Sequence, residues 1–414
     1  MKKTTRKKII CFLSALVSTV LIGLLVLFIY ASMQTPAEYR PVPEVIPTDV
    51  QTEAPVDGEA EAVADVQEEI FADKQESVTV SENGCVTMVF GGDVCFHDPF
   101  ANMNALTQRG GGIDKCISAD LLERMKMADI CMVNNEFPYS DRGTPIEGKA
   151  FAFRSKPENV RLLKEMGVDV VSLANNHAYD HGEAAFLDTL ETLEGAGVDY
   201  VGAGRDLKEA SEAVFYEIQG VKIAILAATQ IERLDMPDTK GATENSAGVL
   251  RCFNEKELEH FLDMVSRTKE ECDVLIVYIH WGTENTEETD WAQPYQAELI
   301  SKAGADIIIG AHPHCLQGID CINGVPVIYS LGNYWFNSKT VDTALLEVVA
   351  GREGLKTVRV IPARQQDCST SMLYDGEKKA VLDYLQGLSP GVSLDAEGFL
   401  TWNPQVEEDR QTEN

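Results

Sequence analysis

Positive charge is scarce in this chain of 414 residues: 35 lysines and arginines stand against 66 aspartates and glutamates, a formal net charge of −31. Nucleic-acid binding needs clustered cations that the sequence does not offer, which argues against a nucleic-acid partner. The same field repels anionic polymers except where a metal or a local arginine intervenes. No C-x-x-C pair occurs among the ten cysteines, and setting Cys11 aside leaves an odd number. A complete disulfide framework is therefore not implied. Cys85, Cys131 and Cys272 flank or enter apolar runs and read as small buried side chains, while Cys315 and Cys321 are spaced to bridge a short loop. A G-x-S-x-G nucleophile turn, a phosphate-cradling P-loop and an internal repeat of fixed period are also missing, so the familiar serine-hydrolase and nucleotide-binding routes have no foothold.

What is present begins with "MKKTTRKK" and an uncharged run, "IICFLSALVSTVLIGLLVLFIYASM", over residues 9–33. As a helix it would reach roughly 37 Å, enough for a hydrocarbon core of about 30 Å. The run exceeds a signal-peptide core, and "YASM" is a poor cleavage site, so it is expected to be a retained single-pass anchor in the cell membrane. The basic residues 1–8 put the N-terminus in the cytoplasm and the main domain outside the membrane. Residues 34–84 are rich in Pro, Glu, Asp, Ala and Val, cannot bury enough apolar surface to order themselves, and read as an acidic tether.

From Cys85 onward short apolar runs alternate with helical patterns, which predicts an α/β domain. The runs are "CVTMVF", "ADICMV", "VDVVSL", "VDYVG", "VKIAILA", "CDVLIVYI", "ADIIIG" and "VPVIYSL". Helices are expected from Pro157, over about 183–196, 254–270 and 292–303, and near "GEKKAVLDYLQGL". Hairpins about Gly220 and Asn323-Gly324 point to a mixed sheet, or to two stacked sheets.

Six of the seven histidines fall just past such a run; only His260 lies in a predicted helix. Asp93 and His97 follow the first run, Asn134 and Glu136 the second, and Asn175, Asn176, His177, Asp180 and His181 the third. His280, and then His312 and His314 about Pro313, follow two later ones. Each residue alone has a structural explanation, such as a turn cap or a surface hydrogen bond. Together they gather on the edge where α/β sheets bind ligands. Two carboxylates, an amide oxygen and several imidazoles suit Zn, Mn or Fe better than Ca or a structural zinc, and there are enough donors for two ions sharing a carboxylate. Such ions activate water and stabilise a displacement.

The ordered motifs "FGGDV", "VNNEFP", "LANNHAYDHG", "HWGTE", "GADIIIGAHPHCLQ" and "IYSLGNYWF" resemble the CapA family of bacterial capsule or poly-gamma-glutamate synthesis proteins, itself similar to calcineurin-like metallophosphoesterases. The resemblance covers residues 85–362 and leaves 363–414 as a C-terminal extension and polar tail. It implies a metallophosphoesterase-like sandwich of two mixed β-sheets flanked by helices, and one or two divalent metal ions. Asp93, Glu136, Asn176, His280, His312 and His314 would be metal ligands, with His177 and Glu284 catalytic. His97, Asn134, Arg154, His181, Trp281 and Asn333 would contact substrate or support the ligands. Two departures stand out: Cys95 occupies the place of a metal-binding histidine, and Glu136 that of a bridging aspartate.

The implied role is synthesis or export of an anionic polymer, with membrane polymer-synthase subunits as partners. The alternatives are a noncatalytic polymer-binding or synthase-docking subunit, and a phosphoesterase for nucleotides or lipid-linked phosphates.

Overall fold

The computed structural model describes residues 84–232 and 239–402, all within the unit that begins at Glu76. The expected basic N-terminus, the anchor over 9–33, the tether up to residue 83 and the tail from 403 lie outside the described residues. Among those described, no helix is long and apolar enough to cross a membrane.

In chain order the strands are β1 (Cys85–Val94), β2 (Ile130–Asn135), β3 (Val170–Ser172), β4 (Asp199–Val201), β5 (Ala203–Gly204), β6 (Val214–Ile218), β7 (Val221–Thr229), β8 (Gly248–Val249) and β9 (Val274–His280). They continue with β10 (Ile307–Ala311), β11 (Ile319–Ile322), β12 (Val325–Ile328), β13 (Asn333–Trp335), β14 (Val341–Gly351), β15 (Gly354–Gln366), β16 (Ser369–Met372), β17 (Val392–Leu394) and β18 (Leu400–Trp402). One sheet has the order β16-β15-β14-β1-β2-β3-β4, with β13 also paired to β1, and the other β11-β12-β10-β9-β7-β6. Both are mixed. β1 to β4 run parallel while β14 and β15 are antiparallel neighbours. β7, β9, β10 and β12 run parallel between the antiparallel edge strands β6 and β11.

Strand periodicity places the core. Val86, Met88 and Phe90 of β1 belong to one buried cluster with Ile223, Ile225, Ile276, Ile307 and Ile309 of the other sheet, so the two sheets pack face to face. Val89 and Val94 point to the opposite face, beneath the helices Ala119–Met127, Arg161–Met166 and Glu183–Ala196. Leu275, Val277 and Ile279 likewise pack under the helices Glu255–Lys269 and Ala292–Ala303. Strands covered on both faces read as continuous apolar runs, which is why they are conspicuous in the sequence.

The expected helices are present, with the turn opened by Pro157 tightened to a 3₁₀ turn before Arg161–Met166. Both expected hairpins form, the second with Asn323 and Gly324 at φ 52° and 80°. The β14–β15 hairpin has no counterpart in the sequence reading, because "TALLEVVA" holds more helix formers than β-branched residues. Its pairing to β1 decides the matter. The boundary at residue 362 falls inside β15; β16, the helix Asp375–Leu388 and the β17–β18 pair continue the fold beyond it.

Candidate metal centre

The parallel strands deliver their last residues to one place. β1 extends past its apolar run to Val94, so Asp93 is a strand residue, in register with Asn333 of β13 and Asn134 of β2. Gly92 makes this extension possible: a Cβ there would lie 1.9 Å from the Gly332 carbonyl oxygen, so only glycine lets the two backbones approach. Asn134 and His280 are also strand residues, at the ends of β2 and β9. After β10, His312 and His314 adopt φ of 99° and 59° on either side of Pro313. Each such conformation costs a non-glycine residue of the order of 1–3 kcal/mol, and strain of this kind collects at functional sites.

Asn134 is the central strut. Its Nδ2 donates to Asp93 Oδ1 at 2.7 Å and lies 3.4 Å from Glu136 Oε2 and 3.3 Å from His280 Nδ1, while its Oδ1 accepts from Asn175 at 3.1 Å. The Asn175 carboxamide oxygen in turn accepts from the His177 backbone N–H at 3.0 Å. Asn176 Oδ1 is 2.9 Å from His280 Nε2, and Asn333 Oδ1 is 2.9 Å from His314 Nδ1. His177 Nδ1 rests on Asp180 Oδ2 at 2.7 Å, with the Phe153 ring stacked on the imidazole at 4.2 Å.

Two groups of donors emerge, Asp93, Glu136 and His280 on one side and Glu136, His312 and His314 on the other, each with its ligand atoms within 4.8 Å of one another. Glu136 is common to both. Its Oε1 is buried without a hydrogen-bond partner, although the Nε2 atoms of His280, His177 and His314 surround it at 3.6, 3.9 and 4.0 Å. These separations are too long for hydrogen bonds, yet ligands each about 2 Å from a shared ion lie roughly 3–4 Å apart. His312 Nδ1 is likewise buried and unpartnered. The donor set therefore fits one or two divalent cations.

The electrostatics agree. Burial, then the charges of Asp93, Glu284 and Asp180, push the Glu136 carboxyl well above its ordinary range. Burial and the neighbouring imidazoles push His280 and His312 well below theirs, which leaves them neutral and able to donate lone pairs. On His314 burial opposes the charge, but Asp93, Glu284 and Asn333 outweigh it and raise the pKa.

Not every residue singled out from the sequence joins this cluster. His97 is turned to the backbone of Arg154 and packs on Phe100 and Phe153. Cys95 is fully buried in the apolar cluster beneath the helices, its thiol pushed up by that burial. Neither belongs to the two donor groups. Trp281 is a core side chain of the helix-covered face, with Nε1 bonded to the Tyr329 carbonyl at 2.9 Å; it does not wall the site. Glu284 is exposed in the loop after β9, near enough to bear on the charges of Glu136 and His314. Arg154 is half-buried beside Phe153, its guanidinium donating to the Arg142 carbonyl at 3.3 Å. His181 is buried, its pKa lowered by desolvation and then by Arg154.

The structure adds supports that the sequence reading did not weight. Asp180 holds His177, and its place three residues further on was a usable signal. Lys149, Phe153 and Phe336 come from loops without periodicity, and only tertiary packing brings them in.

Two stacked mixed sheets flanked by helices, with carboxylates, amides and imidazoles converging at the parallel strand ends, define the class: an α/β protein with a candidate metal centre at the sheet edge. Residues 87–338 match the family described as "Bacterial capsule synthesis protein PGA_cap", and the chain belongs to that family. It is similar to the PGA biosynthesis protein CapA of Bacillus subtilis, 35% identical over 52% of this chain and 55% of the relative. The capsule biosynthesis protein CapA of Bacillus anthracis is 33% identical over 52% of each chain. This chain thus spans about half the length of the curated relatives it matches. The crystal structure of a hypothetical protein from Thermus thermophilus aligns with 67% of this chain and 99% of its own, at 14% identity and a TM-score of 0.40.

Proposed function

We propose that this chain is a membrane-anchored, extracytoplasmic capsule-synthesis protein whose centre is a metal-dependent hydrolase or transferase site of the metallophosphoesterase kind. It acts in making or exporting an anionic polymer of the poly-gamma-glutamate type, beside membrane-embedded synthase subunits. The observation that carries the reading is the buried, unpartnered Glu136 Oε1 ringed by three imidazole nitrogens and shared by two donor groups. The names of the Bacillus relatives support the polymer, and the apolar run over 9–33 behind a basic N-terminus supports the anchor.

Asp93, Glu136, Asn176, His280, His312 and His314 would hold one or two ions of Mn, Zn or Fe. Divalent metals at such a site supply Lewis acidity and water activation. His177 sits with one nitrogen on Asp180 and the other toward Glu136, the arrangement of a residue that moves a proton at the reacting centre. Glu284, whose charge bears on Glu136 and His314, would serve as a base there, and Arg154 would bind an anionic group of the substrate.

Elemental analysis of the full chain beside the double variant His312→Ala, His314→Ala tests the reading. About one to two equivalents of metal in the parent, a clear loss in the variant, and chelator-sensitive turnover of phosphate esters or of poly-gamma-glutamate are expected. A parent that stays metal-free after reconstitution overturns it and leaves a noncatalytic polymer-binding subunit.

A further inference from the structure

Residues 137–156, between β2 and the turn at Pro157, contain no helix or strand, yet they are pinned to the segment that carries His177. The Ile146 N–H donates to the Asp180 carbonyl at 2.9 Å. Gly143, at φ 82°, lies so close to His181 that a Cβ would meet its carbonyl oxygen at 2.1 Å. From this loop Lys149 sends in a side chain that is only 5% exposed. Its Nζ lies 2.6 Å from Asp180 Oδ1 and donates to the Asn176 main-chain carbonyl.

Asp180 is fully buried, and its other oxygen accepts the Phe153 N–H at 2.6 Å and faces His177 Nδ1 at 2.7 Å. A carboxylate only accepts hydrogen bonds, so Nδ1 of His177 carries the proton and Nε2 is left toward Glu136. A buried carboxylate without a cation costs several kcal/mol, and removing one partner of such a pair leaves the other charge uncompensated.

We propose that Lys149 is a positioning residue of the centre: by binding Asp180 and the Asn176 carbonyl together, its ammonium fixes the tautomer and aim of His177 and the peptide that carries the Asn176 amide. For its effect on turnover the inference rests on the hydrolase reading above; for its effect on His177 it does not.

The test is long-range ¹H–¹⁵N NMR on the full chain carrying ¹⁵N-labelled histidine, seven sites in all, recorded without metal and with Zn²⁺. The His177 signals are identified by their loss in His177→Ala. The parent should show a protonated Nδ1 and an unprotonated Nε2 for this residue. In Lys149→Met, which keeps the apolar stem, the two tautomers should mix, while Lys149→Arg should keep the parent pattern. Lys149→Gln, which retains a hydrogen-bond donor without the charge, replaces Met if that variant does not fold. With Mn²⁺ and bis-p-nitrophenyl phosphate, kcat should fall about 10- to 100-fold in the uncharged variant, with KM changed less than about twofold. Methylammonium should restore part of the rate to Lys149→Ala. An unchanged His177 tautomer in the uncharged variants overturns the proposal. A parent that hydrolyses no ester while its tautomer still responds to Lys149 overturns the hydrolase reading and upholds the positioning role.

Discussion

Replacing Glu136 by glutamine should move two quantities in opposite directions. In the metal-free chain Glu136 is buried beside Asp93, with Glu284 and Asp180 also bearing on it, and its pKa is raised. A carboxyl whose folded pKa lies above its unfolded value of about 4.3 destabilises the fold progressively as pH rises from that value toward the folded pKa, then by a constant amount. The cost at pH 7 is bounded by taking up a proton instead, about 2.7 pH units at about 1.36 kcal/mol each, or about 3.7 kcal/mol. Glu136→Gln removes this term, so in chelator the variant should be more stable than the parent at pH 7 by up to that amount and nearly equal to it near pH 4. At roughly 2 °C per kcal/mol for a domain of this size, the melting temperature should rise by several degrees.

The gain in stability on adding metal runs the other way and is larger in the parent. An ion present at about 100 times its dissociation constant stabilises the parent by about 2.7 kcal/mol, or roughly 5 °C. The variant, which has lost the ligand common to both donor groups, should gain less than about 1 kcal/mol. Differential scanning calorimetry at pH 4 and 7, in chelator and in Mn²⁺ or Zn²⁺, measures all four cases. A variant that is less stable than the parent in chelator at pH 7, and equally stabilised by metal, would refute the reasoning.

Asp180→Asn should lower turnover about 10- to 100-fold while leaving metal content unchanged, because the amide can present its N–H to His177 Nδ1 and so impose the wrong tautomer; equal rates with the parent's ester substrate would count against this. Trp281→Phe should cost about 1–3 kcal/mol in urea unfolding through the lost Nε1 hydrogen bond to Tyr329 and the smaller ring left in the core, with no change in bound metal; loss of metal would return Trp281 to the site. Gly92→Ala should destabilise the chain by more than about 3 kcal/mol, or prevent its folding, because its methyl would overlap the Gly332 carbonyl. A variant with parental stability would show that β13 can shift away from β1.

Much of the site was legible in sequence because strands buried on both faces announce themselves. Polar residues at the ends of β1, β2, β9 and β10 therefore stand out against continuous apolar runs. His312 and His314 were singled out this way, as were Asp93, Glu136 and His280, the residues that make up the two donor groups. Trp281 was misplaced for a related reason: successive strand residues face opposite sides, so the neighbour of His280 points into the core and not into the cleft. His97 and Cys95 follow Asp93 closely but fall under the helices and in the packing about Phe153, for which sequence spacing gives no sign.

Which apolar runs form most of the layers and which chemistry could follow them were written in the chain, because those choices rest on local periodicity, turn residues and donor type; the extension of β1 to Val94 and the β14–β15 hairpin were not. That Lys149 stands behind Asp180 and His177, and that residues beyond 362 complete the first sheet, emerged only on folding. Those outcomes depend on contacts between segments far apart in the chain, where the packing of both sheets sets distances that no local pattern records.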